Sequence, residues 1–145
     1  MRLAVQRVTQ ASVKANGGVV GQIKNGLLVL LGVKRGDSER QAEVLAQKLS
    51  KLRVMADKEG KMNLSVGDVG AQVLVVSQFT LYADTSGGNR PSFIEAALPN
   101  EAKKIYGHFV AKLTEKGLKV ETGSFGDYMD IEAKLDGPVT IILES

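Results

Sequence analysis

Apolar and polar positions along the chain change period several times, and each change predicts an element. Met1, Leu3 and Val5 alternate with Arg2, Ala4 and Gln6, the rhythm of a first strand over residues 1–8. Asn16-Gly17 and Asn25-Gly26 each supply the positive-φ pair of a tight turn, so residues 11–15, 19–24 and 27–33 are expected to form an antiparallel meander. Ala42, Leu45, Ala46, Leu49 and Leu52 then recur at helical spacing, with Asp37 or Ser38 as cap and Gln41 completing a capping box with Ser38. Residues 53–56 read as a short strand, 57–60 as a turn, and 61–71 as a loop anchored by Met62 and Leu64. Val73, Leu74, Val75 and Val76 form an unbroken apolar run, which suits a strand buried on both faces.

Pro99 opens a second helix with Ala102, Ile105, Tyr106, Phe109 and Leu113 on one face, and Gly117 is placed to end it. The last third returns to strand: residues 118–122, then Met129, Ile131, Ala133 and Leu135 against Asp130, Glu132 and Lys134, then residues 138–143 after a turn at Asp136-Gly137. Short turns between most strands argue for one α+β domain over residues 1–145. Its curled antiparallel or mixed β-sheets form a barrel-like core with two main helices packed outside.

The pattern breaks at Ser77. Ser77, Gln78 and Thr80 set two hydroxyls and an amide around Phe79 at the end of the buried strand, which is either a binding wall or an ordinary amphipathic strand end. Composition narrows the chemistry. No cysteine is present, so thiolate catalysis, thiolate metal sites and disulfides are excluded. One imidazole cannot build a histidine metal cluster; His108 falls about 120° from the centre of its helix's apolar face and is expected to point to solvent. Asp127 and Asp130 could pair as carboxylates or simply be exposed charge. Gly87-Gly88-Asn89-Arg90 matches no phosphate-loop fingerprint and is open between a surface loop and an anion contact. Nineteen Lys and Arg against 16 Asp and Glu give +3, a mild attraction for an anionic partner. The longest apolar run is too short for a membrane span and the start lacks a signal-peptide block, so a cytoplasmic protein is the default. What remains is a site of hydroxyls, amides and backbone groups, with no metal or cofactor implied. Such a site can stabilise an oxyanion but has little means of activating water.

MRLAVQRV at the start, VSQFTLYAD with GNRPSF in the middle, and TGSFG followed by DGPVT near the end together resemble the D-aminoacyl-tRNA deacylases, in order along the whole chain. The resemblance implies a homodimer that hydrolyses the ester between a D-amino acid, or glycine mischarged on a tRNA such as tRNA(Ala), and the terminal adenosine. The ribose 2′-hydroxyl assists, so no protein base is needed. By the same resemblance Gln78, Phe79 and Thr80 are the catalytic positions, with the Phe79 amide donating to the oxyanion and Thr80 positioning substrate rather than attacking it. Ser77, Phe125, Met129, Gly137 and Pro138 are implied to bind substrate, Phe125 by stacking on the adenine. Gly137-Pro138 is implied to have a cis bond and to enter the partner's pocket, where its backbone occupies the space of an L side chain.

Two positions depart from the family pattern: Leu135 stands where asparagine is usual, and Asp127 where a small residue follows the FG pair. A carboxylate near an RNA terminus is unfavourable unless it points away or meets a cation. Two other functions compete, a nucleic-acid-binding module without catalysis and a small-ester hydrolase with Thr80 as nucleophile.

Overall fold

The computed structural model describes residues 1–145. Its elements follow in the order β1 (Arg2–Ala15), β2 (Gly18–Ile23), β3 (Gly26–Gly32), α1 (Glu39–Ser50), β4 (Met55–Ala56), β5 (Met62–Leu64), β6 (Gln72–Ser77), α2 (Pro99–Glu115), β7 (Lys119–Thr122) and β8 (Asp130–Glu144). β1 is one strand where the pattern suggested two pieces, and its partners account for the length. β8 runs antiparallel beside it from Arg2↔Glu144 to Lys14↔Asp130, while its other edge takes β3 over residues 2–8 and β2 over residues 11–15.

The expected meander therefore does not form, because β2 and β3 both pair with β1 and not with each other. Asn16-Gly17 is a true turn, with φ of 52° and 83°. Gly26 has a different task. A Cβ there would lie 2.0 Å from the Gln72 carbonyl oxygen, so glycine lets β3 come up against the start of β6.

β3, β6 and β7 pair in parallel, which makes the sheet mixed. It curls until β2 meets β7, where a Cβ on Gly21 would stand 2.3 Å from the Thr122 carbonyl oxygen. The result is a nearly closed, barrel-like core. All four residues from Val73 to Val76 are fully buried, as the unbroken apolar run predicts. Val73 and Val75 face the larger core with Leu27, Leu31, Leu45, Leu49, Phe109 and Leu113, beneath α1 and α2. Leu74 and Val76 face a second core with Val8, Val13, Ile23 and Leu28.

Ser38 caps α1, and its backbone N–H donates to Gln41 Oε1 at 2.9 Å; Asp37 accepts instead from the Lys34 amide. Pro99 starts α2, and Gly117 leaves it at φ 80°. Residues 61–71 are not all loop, since β5 pairs with β4. Met62 lies on the outer side of that ribbon and is 52% exposed, so Val66 rather than Met62 anchors the segment.

Candidate functional site

β6 ends at Ser77, and the Gln78 amide makes the last strand-like bond, to the Leu31 carbonyl at 2.8 Å. The chain then turns into a 3₁₀ helix, Phe79–Tyr82. Gln78, Phe79 and Thr80 thus lie on a turn rather than on the strand end that the sequence suggested. The turn is braced from below. Arg2 Nη1 donates to the Leu81 carbonyl at 2.6 Å while its guanidinium lies 5.0 Å from the centre of the Tyr82 ring. Burial pushes the Tyr82 phenol up to about 12. Gln78 Nε2 donates to Thr80 Oγ1, fixing both side chains on one side of the turn. The Phe79 amide opens the 3₁₀ helix, where N–H groups lack an intrahelical acceptor.

Beside this turn lies a cleft of about 670 Å³. Ser77, Gln78 and Phe79 form one wall with Phe93, whose ring meets Phe79 edge to face at 5.0 Å. Leu98, Pro99 and Ala102 at the start of α2 form another, and the loop carrying Phe125 and Met129 forms a third. Phe125 sits 5.7 Å from the Tyr106 ring, so it both packs on the core and faces the cleft. Tyr106 is held in turn by donating to the Val75 carbonyl at 2.8 Å, and burial raises its phenol to about 12. Gly123 lets the loop close, because a Cβ there would stand 2.8 Å from Met129 Sδ.

Five of the eight expected site residues therefore line one cleft: Ser77, Gln78, Phe79, Phe125 and Met129. Thr80 adjoins it through Gln78. Of the other lining residues, Phe93 ends the GNRPSF motif without having been assigned a role, while Leu98 and Arg35 carried no signal in the sequence.

Gly137 and Pro138 lie elsewhere. The hairpin expected at Asp136-Gly137 is absent, for β8 continues through it alongside β1. Gln6 pairs with Thr140 and Val8 with Leu135, so residues 136–139 bulge out opposite Arg7 alone. The Gly137-Pro138 bond is cis. Arg7 Nε meets the Asp136 carboxylate at 2.9 Å, and Arg7 Nη1 donates to the Val54 carbonyl at 2.8 Å. Arg7 stands opposite Leu27 whereas the cleft residue Leu31 stands opposite Leu3, which separates bulge and cleft by about 13 Å along the strands.

The other candidates resolve simply. Asp127 lines the cleft, but its carboxylate accepts from Asn16 Nδ2 at 3.1 Å and from Ser124 Oγ, so neutral donors rather than a cation hold it. Asp130 pairs across from Lys14 and is not in the cleft. His108 does not face open solvent: α1 lies beside it, Nε2 is 3.0 Å from Glu43 Oε1 and Nδ1 is 3.9 Å from Glu39 Oε2, so both ring nitrogens face carboxylates of α1 and neither faces the cleft. Arg90 sits on an exposed loop closed by Asp84 and Ser92, away from the cleft. The cleft's lining side chains include no histidine or lysine, and its one carboxylate, Asp127, is already engaged by Asn16 and Ser124.

The chain is similar to known proteins along its whole length. The model of the D-Tyr-tRNA(Tyr) deacylase family matches residues 4–144. A D-aminoacyl-tRNA deacylase of Brevibacillus brevis is 53% identical over the whole of both chains. One from Thermotoga petrophila is 55% identical, covering all of this chain and 97% of its own. Among solved structures, c-Myc DNA Unwinding Element Binding Protein superposes with a TM-score of 0.93 at 40% identity, covering 100% of this chain and 99% of its own. A probable eukaryotic D-amino acid tRNA deacylase shares the fold with a TM-score of 0.84 at 15% identity, covering 99% and 98%. With a family match along almost its full length and relatives more than half identical, the chain belongs to the D-Tyr-tRNA(Tyr) deacylase family.

Proposed function

We propose that this chain, acting as one domain over residues 1–145, hydrolyses the ester of D-aminoacyl-tRNA to free tRNA and amino acid. It also clears glycine mischarged on tRNA(Ala). Family membership makes it an ester hydrolase acting on tRNA, and the observation that carries the finer reading is a cleft walled by amides, hydroxyls and aromatic rings whose one carboxylate, Asp127, is already held by Asn16 and Ser124. A cleft of amides and aromatic rings suits an activated ester whose own 2′-hydroxyl assists. It is a poor match for a stable bond that needs a protein base.

In this reading the terminal adenine stacks on Phe125 and the aminoacyl end lies between Ser77 and Met129. The Phe79 amide donates to the carbonyl oxygen as negative charge develops there, with Gln78 beside it. Water adds to the carbonyl carbon, the bond to the ribose oxygen breaks, and the neighbouring hydroxyl relays a proton to the departing oxygen. Thr80, already bonded to Gln78, positions that amide rather than attacking. In a homodimer, Gly137-Pro138 of one protomer enters the partner's cleft and its backbone fills the volume of an L side chain; glycine passes. What supports this is that the pair is exposed, carried on a braced bulge, and distant from its own cleft. No helix is long and apolar enough to cross a membrane, and we place the protein in the cytoplasm with its substrate.

The deciding experiment is parallel hydrolysis of D-tyrosyl-tRNA and L-tyrosyl-tRNA, with a matched D ester on tRNA lacking the terminal 2′-hydroxyl. Loss of the D ester alone, dependent on that hydroxyl, is the expected result; survival of both normal esters sinks the proposal. Thr80→Ala should leave a substantial part of the rate, whereas a threonine nucleophile would leave none. A second reading, binding of nucleic acid without catalysis, draws on the 40% identity to a protein described as binding a DNA unwinding element. Salt-sensitive binding with every ester intact would select it.

A further inference from the structure

We infer that Arg35 holds the phosphodiester next to the terminal nucleoside at the mouth of the cleft, and so sets how deeply the strand end enters. This rests on the deacylase reading and adds a contact that the reaction scheme does not supply. Arg35 is the one cationic side chain lining the cleft. No carboxylate neutralises it. The nearby Glu95 is taken by Lys34 Nζ at 3.1 Å, and Asp127, the acid of the same cleft, is occupied by Asn16 and Ser124.

Its backbone, by contrast, is fixed. Ala97 N–H donates to the Val33 carbonyl at 3.0 Å, Lys34 pairs with Ala96, and Arg35 N–H donates to the Glu95 carbonyl at 2.8 Å. A pinned main chain therefore carries an exposed guanidinium that has no partner within the protein. The planar fork of arginine matches two oxygens of a phosphate. A phosphate cannot follow a nucleoside ester in among Leu31, Val33 and Ala97 without losing its hydration, so it stays at the rim, where this cation stands.

The test compares wild type, Arg35→Ala and Arg35→Lys on D-aminoacyl-tRNA and on the D-aminoacyl ester of adenosine, which carries no phosphate, across a salt series. Lys58→Ala, which removes an exposed cation from the 57–60 turn outside the cleft, controls for net charge. Arg35→Ala should raise KM for the tRNA ester about tenfold with kcat little changed, and should flatten the salt dependence of KM by about one unit of slope. The phosphate-free ester should show no comparable loss, and Arg35→Lys should recover part of it. Arg35→Ala behaving like Lys58→Ala overturns the inference, as does an equal loss on both esters, which would mean that the side chain only shapes the cleft. If wild type hydrolyses neither ester, the deacylase reading fails separately. Affinity for uncharged tRNA then decides: a weaker, less salt-dependent Arg35→Ala supports the contact, and unchanged binding overturns it.

Discussion

Arg7 joins three stretches that are far apart in sequence, reaching from β1 to the Asp136 carboxylate and to the Val54 carbonyl. Removing it leaves a mostly buried carbonyl without its donor and a bulge without its brace. Arg7→Ala should cost about 2 kcal/mol in a urea titration, the range for bonds to charged groups. It should also lower the ratio of D to L hydrolysis more than it lowers the D rate, since the proposed filter sits on that bulge. Tyr106 offers a test that is independent of function. Its phenol is held neutral by burial, with the folded value raised from 10.0 to about 12. A raised value means that the associated stability is complete below pH 10 and disappears as pH rises through 12. The thermal midpoint of the wild type should fall over that window, and Tyr106→Phe should flatten part of the fall, Tyr82 retaining the rest. Near neutral pH the same substitution should cost about 1 kcal/mol, the net worth of its bond to Val75.

At the level of elements, two Asn-Gly pairs with the same local signature do different things. Asn16-Gly17 turns the chain, whereas Gly26 makes room for the Gln72 backbone. Gly26→Ala should therefore destabilise by several kcal/mol, about the range of severe backbone clashes, and Gly17→Ala by only about 1 kcal/mol, because it meets strain and no neighbour. Equilibrium denaturation of the two variants checks the order. The contrast explains what the sequence could and could not disclose. Features set within one element were legible: the faces of both helices, the Ser38–Gln41 contact, and the doubly buried run of β6. Features set by a distant partner were not. Asp136-Gly137 has the composition of a hairpin, yet β1 continues past it and keeps β8 a single strand. The site divides in the same way. Ser77 to Phe79 and Phe125 carried motifs, while Leu98 and Arg35 reach the cleft only because the chain folds back across the end of β3.

For the molecule as a whole, the cleft's mouth is unusually apolar for a free surface: Phe79 is 57% exposed, Leu98 61% and Tyr128 95%. A second protomer would cover part of it. Sedimentation of the purified protein should give a species of twice the 15.5 kDa chain mass, and a monomer at micromolar concentration would count against any filter supplied by a partner. The pairing of β1 with β8 has a further consequence. β1 and β8, the first and last of the strands described here, bond along their length with Leu3 opposite Leu143, a pairing that joins residues far apart in the chain. Until β8 has been made, that edge of β1 stays open, and pairing between strands so far apart in the chain is slow to form. A protein proposed to police translation thus depends, during its own, on one strand edge staying unpaired until a distant partner arrives.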